Sequence, residues 1–304
     1  MRVDPNYVTN LSGQLDQTQS NLQRLTSELS SGVSISNLSD NPVASGENVV
    51  LLNQIQADDS FTQSSTMVTG QLQVADSALG SVVTQLTSAI SLATSANNGT
   101  MNASDVKSIG TQISGILQEV ETMANSSYQG QYIFSGAKTT TAPFSTTTST
   151  SPATTTYNGD TDVNYIQTPS GQKIQLNVPG SQIFLGSGTN SVFGALNSLV
   201  ADYSTGTVNT TQAVQDTQAL NTALNYVSQQ RVTIDNSITQ VTSAGDAITS
   251  EQTQLTTAQT NLMQADVAQV STQLSLSETQ QTALEDVIAQ LGSTSNSLFS
   301  KLPG

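Results

Sequence analysis

The sequence contains no cysteine, no histidine and no tryptophan. Without cysteine or histidine, the chain cannot build a zinc finger, a cysteine or histidine nucleophile–base pair, or the usual haem and iron–sulfur sites. This absence argues against an enzyme, and we expect no catalytic residue, no metal and no cofactor.

Charged residues are also scarce. Lys and Arg total 7 against 22 Asp and Glu, the formal net charge is −15, and only 10% of residues are charged, compared with about 25% in an average domain. We expect no binding to nucleic acid, because phosphate neutralisation needs clustered basic residues. No apolar run is long enough for a membrane-spanning helix, so we expect no membrane insertion and no secretory signal peptide.

The amino-terminal region has the pattern of one long helix with a narrow apolar seam. Its aliphatic residues alternate steps of three and four, as in a heptad repeat: Val8, Leu11, Leu15, Leu22, Leu25 and Leu29. Gly32 ends the pattern. Asn41 followed by Pro42 then predicts the cap and first turn of a second helix.

Two further helices follow before the pattern changes. The second helix continues a heptad into the 90s with Val68, Leu72, Ala75, Leu79, Val82, Leu86, Ala89 and Ala93. Residues 97–99, of sequence NNG, end it. Ser104 is a candidate cap for a third helix with apolar positions Val106, Ile109, Ile113, Leu117, Val120 and Ala124.

The carboxy-terminal third is again strongly periodic, but its heptad frame slips once. The first frame contains Leu220, Leu224, Val227, Ile234, Ile238, Val241, Ile248, Leu255 and Leu262, with Arg231, Gly245, Gln252 and Gln259 at polar gaps. The second contains Met263, Val267, Val270, Leu274, Leu284, Ile288, Leu291, Leu298 and Leu302. Because such a slip changes the local supercoil, we place a joint between two helical segments near residue 262.

The middle of the chain, residues 128–208, is rich in proline, glycine and aromatic residues and has no helical rhythm. Residues 131–134, 163–166 and 173–178 have the pattern of short strands. The Ser/Thr tract 139–156 is interpreted as an exposed, extended loop. Tyr132, Phe134 and Phe144 could form a recognition patch but are better explained as the core of this small region.

The order of these regions predicts a mainly α fold. We expect an elongated antiparallel coiled-coil or helical-bundle rod made of paired amino- and carboxy-terminal helices, with a small β-rich outer domain inserted in the middle. Residues 1–42 and 263–304 would form a terminal coiled-coil domain, residues 43–127 and 209–262 a helical rod domain, and residues 128–208 the β-rich outer domain.

The terminal seams allow two interpretations. They could pair within the chain as an ordinary coiled coil that closes the rod, or they could pack against copies of related chains. Each terminal helix has one narrow apolar stripe and otherwise Gln, Ser and Thr, so its burial is small beside the entropy lost on ordering. We therefore expect both ends to be weakly ordered in a free monomer and to become helical on assembly.

Other candidate sites have simpler explanations. Asn158, Asp160, Asp162 and Asn164 resemble half a calcium loop, but the closing Glu is missing, so a turn is expected. The sequence GSGT at 186–189 has no following Lys, which favours a loop over a phosphate site. Glu285 and Asp286 are adjacent on a helix and point in different directions, which favours a solvated face over acid–base chemistry.

Two terminal blocks resemble the bacterial flagellins and their relatives. Residues 15–32, of sequence LDQTQSNLQRLTSELSSG, and the LSDNP segment at 38–42 are similar to the family's amino-terminal block, and residues 265–302 to its carboxy-terminal block. The segment YQGQYIFSGAKT at 128–139, with Pro143 and Phe144 after it, resembles one branch of that family, the hook-associated proteins of the hook–filament junction. The YNGD turn at 157–160 and residues 172–184 fit the outer domain of the same branch.

The resemblance implies a non-enzymatic structural subunit of the bacterial flagellum. It would join the hook-associated ring to the flagellin filament, be exported unfolded by the flagellar type III pathway, and lie outside the cell. Implied partners are copies of itself in a ring, a neighbouring hook-associated protein, flagellin, and an export chaperone on the carboxy-terminal helix. Flagellin itself and a tip or needle component of a type III secretion system remain alternatives.

Combined with the seams, the resemblance assigns an assembly interface to the ends of the chain. The residues assigned are Leu11, Leu15, Leu22, Leu25, Leu29, Val267, Val270, Leu274, Leu284, Ile288, Leu291, Leu298 and Leu302.

Overall fold

The computed structural model describes residues 5–35, 37–147, 149, 152–186 and 191–299, with the side chains of the first and last helices described from residue 9 and up to residue 290. It contains six α-helices in the described residues: α1 (Pro5–Ser31), α2 (Pro42–Ala96), α3 (Ala103–Ala124), α4 (Val192–Ser204), α5 (Thr210–Met263) and α6 (Val267–Phe299). The chain divides into two compact units, a terminal unit (Met1–Gln56 with Glu251–Gly304) and a central unit (Ala57–Ser250).

The helix ends follow local sequence signals. The Ala44 amide donates to the side-chain oxygen of Asn41 at 3.1 Å, which caps α2 as the sequence predicts. Gly99 has a positive φ of 69° just beyond the end of α2, a conformation that favours glycine. The cap of α3, however, is Asn102, whose side chain accepts from the Asp105 amide, so the assignment of this role to Ser104 was wrong.

The core of the central unit is built from the apolar positions that the heptads predict. Most of the predicted positions of α2, α3 and α5 are buried in one continuous cluster: Leu72, Ala75, Leu79, Val82, Leu86, Ala89, Ala93, Val106, Ile109, Ile113, Leu117, Val120, Ala124, Leu220, Val227, Ile234 and Val241. Burying each large aliphatic side chain stabilises the fold by roughly 1.5–3 kcal/mol. The helical regions therefore pack as the periodicity requires.

Polar gaps in the α5 seam make specific contacts with α2. In the central unit, the Arg231 guanidinium pairs with Asp76, with Nη2 3.1 Å from Oδ2, and it lies over Gly80. In the terminal unit, the Gln259 side-chain amide donates to Asn48 at 2.9 Å. Polar pairs at seam positions favour one helix register over its alternatives, so these gaps fix how α5 aligns with α2 within each unit.

The β-rich region consists of three separate antiparallel pairs. Strand β1 (Ser127–Tyr128) pairs with β2 (Gln131–Tyr132), β3 (Phe144–Thr147) with β4 (Thr154–Tyr157), and β5 (Tyr165–Gln167) with β6 (Lys173–Gln175). A single π-helical turn (Ser181–Leu185) follows β6. The turn between β1 and β2 has positive φ at both Gln129 and Gly130, as a tight two-residue hairpin requires.

The Ser/Thr tract forms a hairpin rather than a loop. Phe144 opposes Tyr157 and Thr147 opposes Thr154 in the β3–β4 register, so the interpretation of residues 139–156 as an extended loop was wrong for both strands. Cross-strand hydroxyl contacts add to the ladder, with Thr146 and Thr155 oxygens 2.8 Å apart. Thr is a good strand former, but the repeated Thr and Ser show no alternation of apolar and polar residues, and this concealed the strands.

An aromatic cluster is the centre of the β-rich region. The Phe144 ring lies 5.2 Å from Tyr157, 5.2 Å from Phe184 and 5.0 Å from Phe193, and Phe134 meets Phe184 edge to face at 5.5 Å. Phe134 and Phe144 are 1% and 2% exposed. Phe134 and Phe144 form a core, as the sequence predicts, and not a recognition patch, whereas Tyr132 is half-buried and is not part of this core.

The predicted fold class is confirmed. Long helices flank the small antiparallel pairs, as expected of a mainly α chain with a β-rich insertion. The predicted division into three domains, with boundaries at 42, 127, 208 and 262, stays a prediction. Helix α5 ends at Met263 and α6 begins at Val267, beside the heptad slip.

Candidate assembly surface

The terminal unit pairs α1 with α6 in antiparallel fashion. Leu25 of α1 is buried against Ala265 and Val270, and Leu29 and Leu274 pack beside them. Further along, residues 14–21 of α1 face residues 280–287 of α6. Residue numbers therefore rise along α1 where they fall along the facing part of α6, as in an antiparallel pair. The two terminal seams contact each other within one chain.

A short bridge joins the two terminal helices where they begin and end. Val33 and Gln264 form an isolated antiparallel pair, the Ser34 amide donates to the Met263 carbonyl at 2.7 Å, and the Ala265 amide donates to Gly32 at 2.9 Å. The side chain of Asp266 accepts from the amides of residues 268 and 269 and so caps α6. The short segment between α5 and α6, near the heptad slip, is therefore a hydrogen-bonded joint.

The residues predicted as an assembly interface divide into three groups by exposure. Leu11, Leu25 and Val270 are buried, Leu15, Leu22, Leu29, Leu274, Leu284 and Ile288 are half-buried, and Val267 is 54% exposed. The side chains of Leu291, Leu298 and Leu302 lie outside the described residues. The buried members are already used inside the chain, and a role for the whole set in assembly stays a prediction.

A second apolar stripe on α6 is exposed to solvent, and the predicted seams do not include it. Leu276 is 58% exposed and Val287 is 39% exposed. They lie eleven residues apart, with the exposed Ala283 between them at seven residues from Leu276, so all three share one helix face. The spacing of seven and eleven residues was readable in the sequence, but the stronger seam one frame away concealed it.

A shallow groove adjoins this stripe. It encloses about 470 Å³ and is lined by the α1 residues Gln14, Gln17, Thr18 and Asn21 and the α6 residues Gln280, Ala283, Leu284 and Val287. Its lining combines apolar side chains with side-chain amides, as suits a surface that receives an amphipathic helix. Leu284 is half-buried and lines this groove together with residues of α1.

The remaining face of α6 is acidic. Glu278, Glu285 and Asp286 are exposed on this helix, and Glu285 accepts a hydrogen bond from the Gln281 side chain at 2.9 Å. These carboxylates are solvated, as the sequence predicts. The helix therefore has a packed face, an acidic face and the apolar stripe.

The first turns of α2 carry a second group of exposed aliphatic side chains in the terminal unit. Val43 is 73% exposed, Val50 63%, Val49 52% and Leu52 39%, and Leu38 just before the helix is 70% exposed. Single exposed aliphatic residues are ordinary, but Val43 and Val50 lie seven residues apart and so share one helix face, which makes this face a candidate contact surface. The predicted seams do not include these residues.

The candidate calcium loop is a turn. Asp160 accepts from the Ala137 amide at 2.7 Å and from the Asp162 amide at 3.1 Å, and these donors hold the pKa of Asp160 below its usual value. In the described ranges, no group of three carboxylates is placed to hold a metal ion. The GSGT segment at 186–189 falls largely outside the described residues.

No helix among the described residues has the length and apolar character needed to cross a membrane.

Comparison with known proteins shows which proteins this chain resembles. Residues 6–139 match the model of the bacterial flagellin N-terminal helical region. These residues are therefore similar to the amino-terminal helical region of bacterial flagellins. Flagellar hook-associated protein 3 of Salmonella typhimurium is 32% identical over 188 residues, which cover 61% of this chain and 57% of that protein. The Escherichia coli protein of the same name is 35% identical over 141 residues, 46% of this chain and 44% of that protein.

Solved structures agree at the level of the fold. A putative flagellar hook-associated protein from Vibrio parahaemolyticus aligns with a TM-score of 0.66 at 19% identity, over 74% of this chain and 100% of that one. Hook-associated protein 3 from Legionella pneumophila aligns with a TM-score of 0.61 at 13% identity, over 70% and 98%. The chain spans about half the length of the curated relatives it matches. The resemblance to flagellins and hook-associated proteins inferred from the sequence is confirmed.

Proposed function

We propose that this chain is a structural, non-enzymatic subunit of the bacterial flagellum that joins the hook-associated ring to the flagellin filament. The observation that carries the proposal is the similarity to two hook-associated proteins 3, combined with a terminal unit whose apolar surface is only partly used within the chain. An assembly subunit needs such a surface, because repeated contacts between copies require apolar side chains that the free chain leaves uncovered.

The terminal unit is the proposed assembly domain. Its contacts would be made by the predicted seams together with the Leu276–Ala283–Val287 stripe of α6 and the exposed start of α2. The partners are copies of the same chain in a ring, a neighbouring hook-associated protein on one side and flagellin on the other. The chain would travel unfolded through the flagellar export pathway, with a chaperone on its carboxy-terminal helix, to a place outside the cell.

A deletion strain tests this role. Removal of the gene should leave hooks without filaments and release flagellin into the medium, and expression of the full chain should restore filaments. Labelling against the chain in electron micrographs should mark the position between hook and filament. Labelling along whole filaments would instead identify a flagellin, with which the match to the flagellin N-terminal region is also compatible. Labelling on injectisomes would identify a tip or needle component of a type III secretion system.

Weak order of the free termini gives a second expected result. The described buried apolar side chains of the terminal unit are few, compared with the continuous cluster of the central unit: Leu11, Leu25, Ile35, Ala44, Ala265 and Val270. A protease of broad specificity should therefore cleave the dilute monomer around residues 32–41 and 264–266 and remove α1 and α6, while α2 to α5 persist. Mass spectrometry of the fragments measures this.

Concentration provides the control for the proteolysis experiment. Cleavage of both ends should slow when the chain is assembled, because packing against copies orders them. Full resistance of α1 and α6 at nanomolar concentration would mean that the intramolecular coiled coil is sufficient by itself.

A further inference from the structure

Two aspartates of the central unit approach each other at the junction between α4 and α5. Asp202 lies in the last turn of α4 and Asp216 in the second turn of α5. One carboxylate oxygen of each, Oδ2, is shielded from solvent and has no hydrogen-bond donor. Asp216 is only 8% exposed, and its other oxygen accepts from the Gln212 side chain at 3.1 Å. The pair therefore has two solvent-shielded carboxylate oxygens that accept no hydrogen bond.

The neighbouring polar side chains form hydrogen bonds with one another and not with the two orphaned oxygens. The Tyr203 hydroxyl donates to Asn97 Oδ1 at 2.9 Å, and the Asn97 side-chain amide donates to Thr217 at 3.2 Å. Lys107 of α3 reaches the α4–α5 loop at Gly206, but among the described residues neither aspartate has a basic group within ion-pair distance. The carboxy-terminal ends of α2 and α4 add negative potential from their carbonyl groups, and the amino-terminal end of α5 adds a positive potential that falls off within its first turn.

Two charged carboxylates are unfavourable in this environment. Burial is the main cause that raises the pKa of Asp216, the Gln212 hydrogen bond opposes it, and the nearby Asp202 raises it by a smaller amount. Tyr203 cannot supply a compensating charge, and burial raises its own pKa to about 12. The two buried oxygens without donors therefore favour a proton or a cation held between the carboxylates.

We propose that Asp202 and Asp216 share one proton and form an acid-stabilised latch between α4 and α5. The carboxylic acid of one residue donates to the orphaned oxygen of the other, and the proton comes from solvent. A calcium ion would require about six to eight oxygen ligands, whereas the pair offers two orphaned oxygens, which is what a shared proton needs. The latch does not depend on the assembly role proposed above.

The direction of the pH effect follows from the raised pKa. The folded chain keeps its proton at pH values where the unfolded chain, with an ordinary aspartate pKa of 3.8, has lost it. The contribution of the pair to stability is therefore greatest in acid and declines as the pH rises through the folded-state pKa. Above that pH both carboxylates are charged, and their repulsion weakens the packing of α4 on α5.

Asparagine variants of the full chain test the latch. Asp216→Asn supplies a permanent donor to Asp202, so its melting temperature should exceed that of the wild type by about 2–4 °C near pH 8, and this advantage should shrink toward pH 4. Asp202→Asn should behave in the same way by supplying a donor to Asp216. The double variant should gain little beyond either single variant, since the pair acts as a unit. Asp246→Asn, an exposed aspartate of α5, is the matched control and should show no such trend.

An NMR titration, together with melting temperatures measured with added calcium or magnesium, shows whether a proton or a metal ion lies between the two carboxylates. Carbon-13 NMR of the aspartate carboxyl groups should show one of the pair titrating above the ordinary aspartate range, a signal that Asp216→Asn removes. Melting temperatures of the two single variants that stay at or below the wild type near pH 8 would overturn the proposal. So would a rise of the wild-type melting temperature with calcium or magnesium that both variants lose, because it would identify a cation between the carboxylates.

Discussion

Replacing Leu276 with aspartate should abolish incorporation of the chain into flagella while leaving the isolated molecule folded. The side chain is 58% exposed, so the new carboxylate is solvated in the monomer and should change its stability by less than about 0.5 kcal/mol. Buried against a copy, the same carboxylate would lack a partner and cost about 3–5 kcal/mol. Each contact would then weaken on the order of a hundredfold or more. Electron microscopy and motility assays of a complemented deletion strain measure incorporation, and circular dichroism measures folding.

The acidic face of α6 offers a matched control for this experiment. Thr282 is exposed and lies one turn from both Glu278 and Asp286, so Thr282→Asp adds the same charge to a face that is already acidic. We expect this variant to assemble. Wild-type motility with Leu276→Asp would remove the stripe from the assembly surface, and equal defects in both variants would point to net charge as the cause.

The heptad seam alone would have suggested a less informative variant. Leu284→Asp alters a half-buried side chain in the groove between α1 and α6, so loss of assembly could reflect loss of the α1–α6 pairing. Leu25→Asp has the same limitation in stronger form, because Leu25 is 2% exposed. The Leu276→Asp variant tests contacts between copies without altering a buried contact within the chain.

Replacing Phe144 with alanine should destabilise the β-rich region by about 3–5 kcal/mol. Its ring is 2% exposed and contacts three other aromatic rings, so truncation leaves a cavity that the surrounding hairpin and π-helical turn cannot fill. Loss of packing should release β3 and β4 first, since Phe144 starts β3 and opposes the last residue of β4. Hydrogen exchange of the amides in the two strands measures local stability.

An exposed aromatic residue in the same region provides the comparison. Tyr165 begins β5 and is 56% exposed, so Tyr165→Ala removes a ring that is only partly buried. Its effect should stay within about 0.5 kcal/mol. Equal protection of β3 and β4 in the Phe144→Ala variant and the wild type would contradict the assignment of the aromatic cluster as the core.

Much of the helical architecture was readable from the sequence because helices are specified locally. Six predicted positions of α3, from Val106 to Ala124, are all buried, and the Asn41–Pro42 signal marks the start of α2. A heptad records which side chains face a partner helix, and a cap records where the backbone turns. Both signals lie within a few residues of the structure they specify.

The strand pairing was less accessible. The β3–β4 hairpin lies inside a tract of repeated Thr and Ser, where alternation of apolar and polar residues is absent. What fixes its register is Phe144, which enters a cluster with Phe184 and Phe193 from distant parts of the chain. Contacts between residues so far apart in sequence have no local pattern.

The sequence by itself determined the helical periodicity, the absence of metal-binding and catalytic chemistry of the cysteine and histidine kinds, and the family resemblance. Only the tertiary structure decided which apolar residues are consumed within the chain and which remain open. The periodicity of α6 supports two apolar faces, one through Leu274 and Leu284 and one through Leu276 and Val287. The position of α1 relative to α6 determines that the face through Leu274 and Leu284 packs within the chain, because a helix can bury only the face that its neighbour covers.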